Sequence, residues 1–190
     1  MKQMEEKILS EGKVLPGEIL KVGSFLNQNI DTTFLALMGN EIACLFADAQ
    51  VTKILTIEAS GIAIAAAAGM SMGVPVLFAK KHKTSNVDGT VYSTVVHSFT
   101  HGEDYHVMVS RDYLSSSDRV LLVDDFLASG NALRGLMDLC DQAGAELAGI
   151  TVAIEKCFTG AGDAMRAQGL RVEALASIES MSDHEIAFRS

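Results

Sequence analysis

Two adjacent carboxylates at the end of an apolar run, followed by a turn of small residues, give this chain its clearest chemical signal. The segment runs Val120-Leu121-Leu122-Val123-Asp124-Asp125-Phe126-Leu127-Ala128-Ser129-Gly130-Asn131-Ala132. The apolar run reads as a buried strand that delivers both acids to its end. Small residues in the turn let successive backbone N–H groups close around an anion. A helix starting near Asn131 adds unpaired donors and the positive end of its dipole. Such a cradle suits one phosphate monoester. The acids beside it suit the vicinal hydroxyls of a ribose, or a hydrated divalent metal. The plainer alternative is an acidic strand end before an ordinary capped helix. No lysine follows the glycine as in a Walker loop, and the spacing is not that of a GxGxxG turn. A receiver-type acid cluster gathers its aspartates from separate strands and leaves the Ala-Ser-Gly turn unexplained.

Other candidates stand at the ends of similar runs. Glu58-Ala59-Ser60-Gly61-Ile62 follows VTKILTI. There Ser60 and Gly61 offer N–H groups to an anion, or Ser60 simply N-caps the next helix. Lys80, Lys81 and Lys83 close the run VPVLFA. Solvated surface lysines are the usual reading of such a run, but at this edge of a sheet Lys81 suits a polyphosphate. Lys156 follows GITVAIE, where its ammonium serves a carbonyl oxygen or pairs with Glu155. Asn27 carries both a donor and an acceptor. Phe126 and Phe158 suit either a flat ring or the core. His82, His97, His101, His106 and His184 are dispersed with no visible acid or cysteine partner, so surface or lid positions are expected.

The elements that must position these groups alternate between strand-like and helix-like runs. Strands are expected at Val51–Ile57, Val74–Ala79, Arg119–Val123, Gly149–Ile154 and Leu170–Leu175. Asp31 opens a helical pattern through Phe34, Met38, Ile42, Leu45 and Phe46. Leu133, Leu136, Met137 and Cys140 form another, which Gly144 closes. Continuous apolar strands alternating with helices predict a parallel sheet covered on both faces. Ligands of such sheets sit beyond the carboxyl ends of the strands. Two segments break the rhythm: Met1–Asn27, a short helix and then a strand-like ILKVGSF, and Gly89–Val109, which reads as a hairpin projecting from the sheet.

With 190 residues, 48% of them hydrophobic, one domain spanning 1–190 is expected. The net charge of −9 argues against a general affinity for nucleic acid or an anionic membrane. The N-terminus lacks the apolar core of a signal peptide. Cys44, Cys140 and Cys157 are too scattered for a disulfide framework or a metal site. Cys44 and Cys140 are expected to pack on apolar helix faces, and a cytoplasmic location follows.

The segments LKVGSFLNQNID, TIEASGIA, FAKKHK, DDFLASGNA and IEKCF together resemble the bacterial xanthine phosphoribosyltransferases, a branch of the type I purine phosphoribosyltransferase family, along the whole chain. The resemblance implies the type I phosphoribosyltransferase fold, a parallel α/β sheet flanked by helices, with a small N-terminal hood and the hairpin. It implies transfer of a 5-phosphoribosyl group from phosphoribosyl pyrophosphate to xanthine. Ala128, Ser129, Gly130, Asn131 and Ala132 would then hold the 5′-phosphate, and Asp124 and Asp125 the ribose. Ser60, Gly61 and Lys81 would face the pyrophosphate, and Leu20, Asn27 and Lys156 the base. Mg²⁺ is implied to arrive on the donor rather than on a protein cluster, and a homodimer is implied. Many relatives end the phosphate loop with threonine where this chain has Ala132, so backbone amides must supply more of the binding. The rival reading is a ligand-sensing regulator on the same fold. It would call for a DNA-binding segment and a basic face.

Overall fold

A computed structural model of the chain describes residues 1–81, 90–98, 103–182 and 185–189. His82, Lys83, His101, His184, the hairpin's expected start at Gly89 and its turn at Thr100-His101-Gly102 lie outside the described residues. The first elements are α1 (Lys2–Glu11), β1 (Lys13–Leu15), β2 (Ile19–Lys21), α2 (Thr32–Leu45), β3 (Lys53–Ile57), α3 (Gly61–Met72) and β4 (Val76–Ala79). The hairpin β5 (Val91–Ser98) and β6 (Glu103–Ser110) follows. The chain then forms β7 (Arg119–Leu127), α4 (Asn131–Ala143), β8 (Glu146–Lys156), α5 (Ala161–Ala167), β9 (Val172–Met181) and β10 (Ile186–Phe188).

Among the described residues the main sheet runs β10-β9-β8-β7-β3-β4, with every pairing parallel except β10 against β9. Consecutive strand residues point to opposite faces. Ile54 and Leu121 therefore join one core with Met38, Ile42 and Ile64, while Leu55 and Leu122 join the other with Leu133, Leu136 and Leu139. Each fully buried aliphatic side chain contributes about 1.5–3 kcal/mol, which explains why these strands read as unbroken apolar runs. Asp31 N-caps α2, its Oδ1 accepting from the Phe34 amide at 3.0 Å. Gly144 closes α4 in the left-handed conformation, as its position after the last apolar residue predicts.

Three expectations need correction. The strand expected to end at Val123 continues through both acids to Leu127, because pairing with β8 carries on to Leu127 opposite Glu155. The segment ILKVGSF is not one strand: Ile19–Lys21 pairs back on Lys13–Leu15, and Gly23–Asn27 coils into a π-helical turn that buries Phe25 and Leu26. Cys44 is exposed rather than packed, while Cys140 and Cys157 are buried. No helix among the described residues is long and apolar enough to cross a membrane.

The N-terminal hood, α1 through Asn27, is fastened to the body by Lys7. Its ammonium lies 2.8 Å from Asp31 and 2.7 Å from Glu11, and 5.5 Å from the centre of the Phe34 ring. The hairpin leaves the sheet and lies along α4. Gln142 donates to the Ser93 carbonyl and accepts from its amide. Lys80 and Met108 exchange two backbone bonds, which tie β6 to the end of β4.

Candidate active site

The sequence-predicted residues gather at one edge of the sheet, where β3, β4, β7 and β8 end. Asp124 is buried, with one carboxylate oxygen accepting from the Asp125 amide at 2.9 Å. Burial, and then the neighbouring Asp125 carboxylate, push Asp124 well above the usual carboxylate range. Asp125 is less buried. Its Oδ1 accepts from the Phe126 amide at 3.0 Å, and its Oδ2 accepts from Asn27 Nδ2 at 3.4 Å. One acid is thus held in the protein and the other faces the hood.

Past Leu127 the loop of small residues has its carbonyl oxygens tied back. The Arg134 guanidinium donates to the Ser129 carbonyl at 2.8 Å, and the Thr159 hydroxyl stands 2.7 Å from that of Ala128. Gly130 turns the chain at φ +76°, a left-handed geometry that a side chain strains. The loop amides and the first N–H groups of α4, which no helical carbonyl can reach, are left to meet an anion. Asn131 directs its amide group elsewhere, donating to the His97 carbonyl of the hairpin at 3.0 Å. Its contribution to an anion is therefore main-chain only. That contact also brings the hairpin to the loop.

Across the edge, the turn after β3 abuts the acids. A Cβ added to Gly61 would collide with the Thr56 hydroxyl and stand 3.1 Å from Asp124 Oδ1. Only glycine lets α3 start this close to the acid. Ser60 holds the N-cap position of α3 but makes no capping bond with its side chain. Glu58 Oε1 accepts from the Lys81 amide at 2.6 Å, which joins this turn to the lysine segment.

The hood completes the edge. Lys156 is half-buried and donates to the Glu18 carbonyl at 2.7 Å, and burial lowers its pKa. The alternative pairing with Glu155 is wrong, because the two side chains leave the strand on opposite sides. Glu155 is 1% exposed and is gripped by Arg166 at 2.8 and 2.6 Å. Leu20 spends its side chain in the core, and shares with Asn27, Lys13 and Lys21 the wall of a groove of about 340 Å³. Phe126 and Phe158 pack partly buried against the hood-side core.

Several contributors were missed in the sequence. Thr159 also stands 2.8 Å from the Lys156 carbonyl, linking the small-residue loop to the end of β8. Arg134 and Tyr105 also stand here, the Tyr105 ring 5.0 Å from the Lys81 ammonium, and Glu58, part of its motif but with no role expected of it, accepts from the Lys81 amide. Each is an ordinary surface residue by type, and only the strand alternation that turns Tyr105 toward the sheet hints at it. His97 was expected to lack an acid partner. It has one in Asp104, at 2.7 Å across the hairpin, where cross-strand pairing sets the two opposite each other.

Comparison with known proteins places this geometry among relatives. The phosphoribosyl transferase domain model matches residues 29–166. The chain is 52% identical to the xanthine phosphoribosyltransferase of Bifidobacterium longum, with all of both chains covered. It is 48% identical to that of Heliobacterium modesticaldum, over 99% of this chain and 100% of the relative. It is 44% identical to that of Limosilactobacillus fermentum, over 100% and 97%. Among solved structures it is similar to an APRTase from Giardia lamblia complexed with 9-deazaadenine, at TM-score 0.77 and 19% identity over 93% of this chain and 98% of that one. A second is the adenine phosphoribosyl transferase of Trypanosoma brucei in complex with AMP, pyrophosphate and ribose-5-phosphate, at TM-score 0.76 and 17% identity over 95% and 82%. At those identities the structural likeness speaks to the fold alone.

Proposed function

The chain belongs to the phosphoribosyl transferase domain family, and on that premise we propose how its residues carry the family's reaction with xanthine. The 5-phosphoribosyl group of phosphoribosyl pyrophosphate passes to a ring nitrogen of xanthine, giving xanthosine 5′-monophosphate and pyrophosphate. The nitrogen lone pair forms the new bond to the anomeric carbon as the bond to pyrophosphate breaks. The ring proton is then given up.

The loop Ala128–Ala132 holds the 5′-phosphate on main-chain amides, with Arg134 and Thr159 keeping its carbonyls turned away. Asp124 and Asp125 accept the ribose hydroxyls. As the leaving group departs, positive charge develops on the sugar, and a fixed carboxylate nearby stabilises it without a covalent intermediate. Ser60, Gly61 and Lys81 receive the pyrophosphate. Adjacent carboxylates are hard oxygen donors that suit Mg²⁺ and its bound waters, so these residues fit the metal that the family implies. Arriving with the donor, Mg²⁺ would supply positive charge to offset that of the leaving pyrophosphate.

Lys156 supplies the ammonium that a xanthine carbonyl oxygen needs, and Asn27, which already donates to Asp125, supplies a donor and an acceptor. An adenine amino group facing Lys156 would set donor against donor, which is how such a site rejects the wrong base. The observation that carries the reading is the buried strand that bears Asp124 and Asp125 and runs on into the small-residue loop, with Asn27 touching Asp125 from the hood. Initial rates of pyrophosphate release across xanthine, guanine, hypoxanthine and adenine, with and without Mg²⁺, test it. Xanthine is expected to lead, and a preference for adenine would refute the role of Lys156.

A further inference from the structure

We propose that Tyr105 is a positioning residue for Lys81, its ring face holding the ammonium at the place from which it meets the donor's pyrophosphate. The inference rests on the reading of Lys81 as a pyrophosphate ligand and adds the group that aims it.

Lys81 is fixed at both ends. Its amide donates to Glu58 at 2.6 Å, and its Nζ stands 5.0 Å from the centre of the Tyr105 ring. A lysine side chain left free gives up rotamer entropy when a ligand immobilises it. A ring that already holds the ammonium removes part of that cost before the donor arrives. Unlike a carboxylate, an aromatic face attracts the cation without neutralising it.

Tyr105 is itself well fixed. It packs against the core beside α4 and lies opposite buried Val96 in the hairpin. Three residues on, Met108 locks β6 to Lys80 by two backbone bonds of 2.9 and 3.0 Å. The ring also lies near the acids. Burial first, and then the charge of Asp124, raise the phenol's pKa, so it stays protonated and adds no charge of its own. The hairpin thus orders the segment of Lys80 and Lys81 as well as flanking the small-residue loop. An apolar filler role would need bulk alone at this position, whereas the proposed role needs a π face.

The experiment is steady-state kinetics on the full chain with phosphoribosyl pyrophosphate varied. Tyr105→Leu is expected to raise the KM for the donor about three- to tenfold, in proportion to one exposed-to-buried cation–π contact, and to weaken inhibition by pyrophosphate in parallel. The KM for xanthine should move less than the donor's. Tyr105→Phe should restore the donor KM. In a Lys81→Ala background the leucine substitution should have no further effect. Phenylalanines with successively more ring fluorines at position 105 keep the shape while draining the π face, and need no tolerance of leucine by the fold. The donor KM should climb stepwise along that series. A flat fluorine series, or an undiminished effect of Tyr105→Leu without Lys81, overturns the inference while leaving Lys81 in place. Lys81→Ala with unchanged donor KM and unchanged pyrophosphate inhibition overturns the reading of Lys81 itself.

Discussion

Asn27 donates to Asp125 across 98 positions of sequence, Nδ2 to Oδ2 at 3.4 Å, and so joins the hood to the acid pair. The base and the ribose are bonded to each other in the product, so their sites must touch. On the proposed assignment of Asn27 to the base and Asp125 to the ribose, they would do so at this contact. Asp125→Ala is expected to lower kcat about 100-fold or more, the scale of losing one preorganised electrostatic contact to the transition state. The melting temperature should scarcely move, because Asp125 is only partly buried. Activity equal to the parent would remove the acid from the ribose site.

Asp124 sets stability against function. Its pKa in the fold is raised above the ordinary 3.8 by burial and by Asp125. A carboxyl of this kind favours the fold while protonated, below its unfolded pKa, and that advantage is lost as pH rises through the raised value. Asp124→Asn removes the buried charge and keeps an oxygen for the Asp125 amide. The variant should melt with the parent near pH 4 and above it at pH 8, the gap widening between. Its turnover should fall sharply at every pH. Thermal melts across that range check the sign, and a variant less stable at pH 8 would contradict it.

Lys156→Ala should act on the base. Without the ammonium, the KM for xanthine is expected to rise roughly tenfold or more, since one unpaired polar contact discriminates on that scale. The KM for the donor should change little. The same variant frees the Glu18 carbonyl, so hydrogen exchange at the β1–β2 hairpin should quicken.

Glu155 and Arg166 form an ion pair on the other side of β8 from Lys156, with Glu155 almost fully buried. Arg166→Ala leaves that carboxylate unpaired, and a loss of about 3 kcal/mol is expected. Adding Glu155→Gln should recover part of it by removing the stranded charge. Urea midpoints of the two variants measure both steps.

Cys44 and Cys140 should separate cleanly by reactivity. Cys44 is exposed, whereas burial pushes the Cys140 thiol up to about 12. A thiol reagent at pH 8 should modify Cys44 first, and Cys140 only on unfolding.

Periodicity and turn chemistry made the strand–turn–helix at Asp124–Ala132 and the helices opened by Asp31 and closed by Gly144 legible in the sequence, because each is a local preference. What stayed hidden depends on pairing between distant segments. The extension of β7 to Leu127 comes from β8, whose Glu155 pairs with Leu127 from 28 positions further along the chain. The Thr159, Arg134 and Glu58 contacts are made by common polar types whose partners only the fold supplies. Cys44 looked like a core position because the helical pattern repeats around it. The neighbouring strands and helices, however, cover Ile42 and leave Cys44 outside.

Crystals soaked with xanthosine 5′-monophosphate test the central claim most directly. The phosphate density should sit on the amides of Ala128 to Ala132, with the ribose hydroxyls on Asp124 and Asp125 and the base between Asn27 and Lys156. A nucleotide bound with its phosphate elsewhere, and that loop empty, would contradict the account.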